Sequence, residues 1–152
     1  MARVKVATLN LFNRMGDWDH RFPLVVEQLA ALAPDVIGFQ EIFSQAALRE
    51  VLARTRKYRD ALHLGSDPDP AAERLTPSVA LVSRLPLAEP VASLHAFPEG
   101  ILLPAGSRDP DRFTRAPLHA EVELAPGTVV DVVVVHLKSR RPAYRTGDTG
   151  ED

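Results

Sequence analysis

Between residues 3 and 12 the apolar side chains Val4, Val6, Leu9 and Leu11 interleave with polar ones and include β-branched residues, a pattern that predicts a strand. Residues 15–21 are polar and predict a loop. From 22 to 32 the spacing changes: Leu24, Val25, Leu29 and Leu32 recur at helical intervals, and Pro23 suits a first helical turn. Ala33-Pro34-Asp35 ends that helix. Residues 36–39 are a short apolar run, hence a buried strand, with Gln40 and Glu41 where it ends. Ser44 is a candidate N-cap for a second helix, whose inner face is Ala47, Leu48, Val51 and Leu52.

Beyond Tyr58 the helical period gives way to alternation. Residues 58–64 predict a strand, and 65–77 carry turn formers throughout, hence a loop. Residues 78–83 and 90–97 predict two strands joined at Leu85-Pro86. Residues 98–110 are a long loop rich in Pro, Gly and Asp, of a length that is usually functional or disordered. Residues 113–124 alternate, and pair across Ala125-Pro126-Gly127-Thr128 with 129–135 to give a hairpin. The domain is expected over 1–137, followed by a polar, disordered tail over 138–152. The order of strand, helix, strand, helix and then strands predicts an α/β protein, a mixed sheet with two helices on one face. Val129, Val130, Val132, Val133, Val134 and Val135 are apolar on both faces of their strand, broken only by Asp131. Such a strand wants cover on both sides, and two helices do not supply it.

Composition narrows the chemistry more than the fold. A chain of 152 residues has room for one domain, which buries roughly two-thirds of its unfolded surface. There is no cysteine, so disulfides, thiolate metal sites and cysteine nucleophiles are excluded. Any metal must be held by oxygen or imidazole, which favours hard cations such as Mg²⁺. A net charge of −2 argues against dense non-specific nucleic-acid binding. No apolar run reaches the roughly 20 residues a membrane helix needs. Met1 leads straight into a strand pattern rather than a signal peptide, so a cytoplasmic location is expected.

Three polar residues interrupt apolar strands near their C-terminal ends: Asn10, Glu41 and His136. Ligands of α/β folds gather at strand ends, so neighbouring strands could bring the three together. Each alone has an ordinary reading: a turn or sheet asparagine, a solvated carboxylate, a histidine bonded to a backbone carbonyl. The strings around them point further. Val6-Ala7-Thr8-Leu9-Asn10-Leu11, followed by Asp35-Val36-Ile37-Gly38-Phe39-Gln40-Glu41-Ile42, resemble the opening motifs of the endonuclease/exonuclease/phosphatase (DNase I-like) superfamily. Val79-Ala80-Leu81-Val82-Ser83-Arg84-Leu85-Pro86-Leu87 is similar to the strand and turn that follow there. Phe113-Thr114-Arg115-Ala116 is similar to that family's arginine-bearing strand, and Val133-Val134-Val135-His136-Leu137-Lys138-Ser139 to its histidine strand.

The resemblance implies roles. Glu41 would be a ligand of Mg²⁺ or Mn²⁺, because Mg²⁺ is commonly held by one or two carboxylates plus substrate phosphates and water. Asn10 would orient the scissile phosphate through its amide. His136 would contact a phosphate oxygen and offset charge in the transition state. Arg115 would bind phosphate through its guanidinium, or alternatively pair with Glu121 or Glu123. Lys138 reads as a solvated lysine.

The family's C-terminal half normally supplies a D-x-N motif that handles the attacking water and a later S-D-H motif at the phosphate; this sequence contains neither. A positioned base is worth roughly 10² to 10⁴ in rate. The implied fold is half of a four-layer α/β/β/α sandwich, with this chain supplying most of one sheet and the first strand of the second. The uncovered sheet would need a second copy or the missing C-terminal half, so a fragment, a truncated product or an associating chain is expected. The leading reading is therefore a Mg²⁺-dependent phosphoester hydrolase (phosphodiesterase, nuclease or phosphatase) represented by an incomplete domain. Against it stands a catalytically inert fragment retaining metal or phosphate binding, and behind both an unrelated α/β binding module. The substrate class is open among nucleic acid, phospholipid and small phosphoester, with residues 65–77 and 98–110 as the specificity loops.

Overall fold

The computed structural model describes residues 3–13, 17–59, 61–65, 78–97, 99, 113 and 115–137. The predicted segments 66–77 and 100–110, Lys138 and the tail lie outside the described residues. Seven strands and two helices follow in the order β1 (Val6–Asn10), α1 (Trp18–Leu32), β2 (Val36–Ile42), α2 (Gln45–Arg54), β3 (Leu62–Gly65), β4 (Ser78–Ser83), β5 (Leu87–Ser93), β6 (Leu118–Ala125) and β7 (Thr128–Val134). A 3₁₀ turn over Arg56–Tyr58 occupies the start of what reads in the sequence as a strand from 58.

These strands form two sheets. The first has the order β1-β2-β4-β3 and is mixed: β1 and β2 are parallel, and β4 runs antiparallel to both of its neighbours. The second, β5-β6-β7, is antiparallel throughout. Strand alternation assigns each face of the first sheet to a different core. Ile37, Phe39 and Ile42 of β2 and Ala80 and Val82 of β4 pack against Val25 and Leu29 of α1 and Leu48, Val51 and Leu52 of α2. Val36, Val79 and Leu81 turn the other way and meet Leu118, Ala120, Val122, Val132 and Val134 of the second sheet. Two helices thus cover one face of the first sheet and the second sheet covers its other face, giving three layers.

The second sheet is larger than the single strand expected. The reason lies at Ser83-Arg84-Leu85-Pro86, where the Ser83 hydroxyl bonds both the amide and the carbonyl of Leu85 and turns the chain out of the first sheet. Leu118, Ala120 and Val122 then alternate inward on β6, which is enough apolar surface to hold a sheet against Val79 and Leu81. The two-residue turn between β6 and β7 has Pro126 first and Gly127 second; Gly127 takes φ 74, which the second position of a type II turn requires.

The valine run behaves as its pattern suggests. Its inward residues are Val132 and Val134, while Val129 and Val133 on the opposite face and Val135 beyond the strand stay 47%, 51% and 43% exposed. Among the described residues no layer covers that face.

The first helix starts earlier than its spacing predicts. Trp18 and Phe22, one turn apart, stack edge-on at 5.8 Å and both pack on the helix-side core, which extends α1 back to Trp18. Pro23 therefore sits inside the second turn, where its missing N–H forfeits one helical hydrogen bond. At the other end Lys5 and Lys57 donate to the Leu32 and Ala30 carbonyls, which the helix itself cannot satisfy. In α2 the Ser44 hydroxyl accepts from the Ala47 amide, the expected cap. Tyr58, buried beneath these elements, donates to the Pro34 carbonyl at 2.8 Å, and burial pushes its phenol up to about 12.

The two sheets come close at Gly38. A Cβ there would lie 3.2 Å from a Val134 methyl, tighter than an ordinary contact, so Val134 would have to give way. Gly38→Val should cost about 1–3 kcal/mol through overpacking, read as a lower urea midpoint, whereas a midpoint equal to the parent's would show that β7 has room to move.

Candidate phosphate and metal site at the strand ends

β1 and β2 are parallel, so Asn10 and Gln40-Glu41 emerge at the same end of the first sheet. The second sheet brings two more residues there. Leu118 pairs with Val134, so the chain entering β6 and the chain leaving β7 lie side by side. Arg115 sits just before β6 and His136 just after β7. Val134 packs over Gly38, which carries the end of β7 across the first sheet toward Glu41.

Glu41 is aimed by a distortion of its own strand. The register of β2 against β4 shifts between Phe39 and Ile42, and Glu41 has φ 55, a left-handed backbone that a non-glycine residue holds at a cost. That cost is of order 1–2 kcal/mol. Irregularities of this kind re-aim a side chain. Here the Glu41 carboxylate oxygen reaches His136 Nε2 at 3.2 Å.

The imidazole has a second partner. Arg115 Nη1 lies 3.2 Å from His136 Nδ1 and 3.0 Å from Nε2. A ring that donates from Nε2 to Glu41 keeps Nδ1 as the acceptor, and the guanidinium supplies its donor. The His136 side chain is 11% exposed. Burial, then the Arg115 charge, hold its pKa below the ordinary imidazole value against the opposing pull of Glu41. The neutral ring is thus the form that fits.

This has a consequence for stability. Because the folded pKa is depressed, the unfolded chain takes up a proton at His136 before the folded chain does as pH falls below the ordinary value near 6.5. The contribution of a neutral His136 is fully present above that pH and declines as pH falls below it. Thermal midpoints measured from pH 7 to pH 5 should fall more steeply for the parent than for His136→Gln; parallel curves would count against a neutral, buried ring.

Next to this trio the Gln40 amide donates to the Thr8 hydroxyl at 2.9 Å, on the face that looks toward the second sheet. Asn10 pairs in register with Gln40, the neighbour of Glu41, and its exposed side chain makes no hydrogen bond to a described residue. The structure therefore joins Glu41, His136 and Arg115 by direct contact and sets Asn10 at the same strand ends without contact. Arg115 is not on a strand, as its motif suggests, but in the bend ahead of β6, and its partner is His136 rather than Glu121 or Glu123. The ordinary reading of His136, a bond to a backbone carbonyl, gives way to side-chain partners.

Sequence reasoning passed over a second cluster at this end. Asn13 is 5% exposed: its amide donates to the Ser44 carbonyl at 2.6 Å, and its carbonyl accepts from the Phe43 and Ser44 amides at 2.6 and 3.1 Å. Arg21 donates to the Leu11 and Phe12 carbonyls. Together they tie the loop after β1 to the loop after β2. The only sequence signal was an asparagine directly after an apolar pair, in a segment that otherwise reads as loop. The groove of about 420 Å³ between α1 and α2, lined by Trp18, Asp19, Phe22, Ala46, Ala47 and Glu50, contains none of the candidate residues.

Among the described residues no group of three or more His, Asp or Glu side chains could hold a metal ion. What the site offers a metal is one partly exposed carboxylate, Glu41, with a neutral imidazole beside it. That donor set suits Mg²⁺, which takes one or two protein carboxylates and draws its remaining ligands from substrate oxygens and water.

No family model matches the sequence, and no curated protein matches it. Solved structures do match. An endonuclease/exonuclease/phosphatase family protein from Leptotrichia buccalis superposes with a TM-score of 0.63 at 14% identity, over 90% of this chain and 54% of that one. The chain has the endonuclease/exonuclease/phosphatase fold. A humanized D. rerio TDP2 gives 0.64 at 17% identity, over 91% of this chain and 52% of its own. The human Nocturnin catalytic domain, solved with a bound sulfate anion, gives 0.59 at 19%, over 90% and 50%. The chain spans about half the length of these proteins. What it shares with them is the α/β architecture of two helices on a mixed sheet backed by a second sheet, as the motif resemblance implied. No helix among the described residues is long and apolar enough to cross a membrane.

Proposed function

We propose that this chain is the metal- and phosphate-binding half of a Mg²⁺-dependent phosphoester hydrolase. The observation that carries the reading is the contact of Glu41, His136 and Arg115, drawn from both sheets to one set of strand ends. Glu41 is the residue that would hold Mg²⁺ or Mn²⁺; when bound, the ion supplies charge neutralisation at the phosphate oxygens. Arg115 offers a fixed guanidinium to the same oxygens, and it also orients the His136 ring. His136 presents an N–H that turns from Glu41 to a phosphate oxygen when the carboxylate is engaged elsewhere. Asn10, exposed and unengaged with any described residue, supplies an amide that can both donate and accept.

Activation of the attacking water is a different matter. The sequence has no D-x-N and no S-D-H. What the four residues themselves support is the binding of a metal ion and a phosphate. A substrate containing nucleic acid is supported by the D. rerio TDP2 structure complexed with a single-strand DNA product, which matches at a TM-score of 0.63. A titration with inorganic phosphate, followed by ³¹P NMR with and without Mg²⁺, tests the proposal. Saturable binding that requires Mg²⁺ is expected; the same weak response with and without the ion would remove its basis.

A further inference from the structure

The end of the first sheet opposite the candidate site carries a cluster of cations that phosphate and metal binding do not use. Hydrogen bonds assemble it from several elements. The Lys5 carbonyl accepts from the Asp35 and Val36 amides, and the Lys5 ammonium donates to the Leu32 carbonyl at the end of α1. Arg84, directly after β4, reaches the Asp35 carboxylate at 3.4 Å. Lys57 donates to the Ala30 carbonyl and Tyr58 to the Pro34 carbonyl, which holds the 3₁₀ turn against the end of α1. Arg54 precedes that turn, Arg56 opens it and Arg59 follows it. Lys5, Arg54, Arg56, Lys57, Arg59 and Arg84 thus share one pole, and all six are exposed.

The net charge of −2 hides this asymmetry. The carboxylates that touch the cluster are each engaged by one of its arginines, Asp35 by Arg84 and Glu50 by Arg54. Lys5 and Lys57 have a structural use, since they satisfy carbonyls at the end of α1. Arg56 and Arg59 have none: neither bonds a described residue. Three residues apart across a 3₁₀ turn, they project from the same side. Beside these cations stands Leu32, 62% exposed, with Lys5 bonded to its carbonyl.

We infer that this pole docks on an anionic lipid surface, with the cations on the headgroups and Leu32 entering the acyl boundary. A group of roughly four to eight lysines and arginines is what such a surface recruits. An exposed leucine gains from the acyl boundary and gains nothing from a phosphodiester backbone. The one aromatic ring in the 3₁₀ turn, Tyr58, is 1% exposed and offers a nucleobase no stacking face. The pole also lies at the start of β2, about 20 Å along the strand from Glu41. A lipid bound here is therefore an anchor and not the substrate, and the inference stands apart from the strand-end site.

Sedimentation of the full chain with sucrose-loaded vesicles tests it. In about 0.1 M salt the parent should partition onto mixed phosphatidylserine and phosphatidylcholine vesicles, ignore pure phosphatidylcholine, and be released as salt is raised. Arg56→Gln combined with Arg59→Gln should weaken that partitioning roughly 25-fold, because each cation near the surface is worth about fivefold. Its thermal midpoint and its Mg²⁺-dependent phosphate binding should match the parent's, which shows that the variant is folded. Leu32→Ser should weaken partitioning roughly tenfold. A parent that stays in the supernatant with both vesicles overturns the inference, as does a double variant that partitions like the parent. Parent-like partitioning of Leu32→Ser also overturns it, because no apolar anchor is then engaged. Tighter retention by a duplex DNA oligonucleotide than by the phosphatidylserine vesicles, lost in the double variant, assigns the pole to nucleic acid and overturns it equally.

Discussion

Glu41→Gln should lower the affinity for Mn²⁺, measured by the loss of the free-ion EPR signal on titration, by more than 100-fold. A residue that only orients a metal ligand is worth roughly 10- to 100-fold in metal affinity, and Glu41 is the one carboxylate in the contacting trio. The substitution is chosen because it changes charge and little else. Glutamine has the size of glutamate, its side-chain oxygen can still accept from His136 Nε2, and it would meet the same backbone demand at φ 55. Loss of affinity with an unchanged thermal midpoint is therefore the expected pair of results. Parent-like Mn²⁺ affinity in Glu41→Gln would remove the metal site. Glu41→Gly gives an independent check, because glycine relieves the left-handed strain at the cost of some chain entropy. It should lose the metal equally and hold or gain stability by up to about 1 kcal/mol. A position where the native residue is both strained and replaceable without loss of stability is one kept for something other than folding.

The parts of this fold that were legible in the sequence are those that repeat locally. The run from Ser78 to Ser83 matches β4, and Ser44 caps α2 as its place before Ala47, Leu48, Val51 and Leu52 suggests. A period of two or of 3.6 is a short-range property, and a side chain that bonds three residues away can be found by eye. The start of α1 was missed because its decisive contact, Trp18 on Phe22, lies in a stretch where Asp17, Asp19, His20 and Arg21 surround the tryptophan. The bulge at Glu41 was missed for a different reason. Gln40 and Glu41 look like the end of a strand, but the partner strand continues to Ser78 opposite Ile42, and only that partner reveals the irregularity. Arg115 and His136 are 21 residues apart and meet because Leu118 pairs with Val134, a fact of register that no local pattern carries. The motif strings singled out Glu41, His136 and Arg115, and the long-range pairing accounts for their contact.

Asn13→Ala should destabilise the protein by about 2–4 kcal/mol, the largest stability loss expected from any single polar residue at this end of the sheets. The side chain makes three hydrogen bonds, to the Ser44 carbonyl and from the Phe43 and Ser44 amides, and the residue is 5% exposed. Removing it takes one partner from each of those three backbone groups, although the Ser44 carbonyl keeps the Leu48 amide. A buried backbone group left unpaired costs about 1–3 kcal/mol, and the total is set below three such costs because the groups are part-buried and the Ser44 carbonyl retains a donor. Asn13→Asp separates the two roles of the amide. It keeps an oxygen for the two N–H donors but turns a second oxygen toward the Ser44 carbonyl, so its loss should fall between the parent and Asn13→Ala. Hydrogen exchange localises the effect: the Phe43 and Ser44 amides should exchange faster in Asn13→Ala by more than global stability predicts. A midpoint within 0.5 kcal/mol of the parent, the usual range for a surface substitution, would mean that solvent replaces the clamp without cost. The clamp matters for the site because Ser44 caps α2 and Phe43 lies two residues after Glu41. The bulge that aims the Glu41 carboxylate is thus fixed on one side by the pairing with β4 and on the other by a buried amide reaching across from the loop after β1.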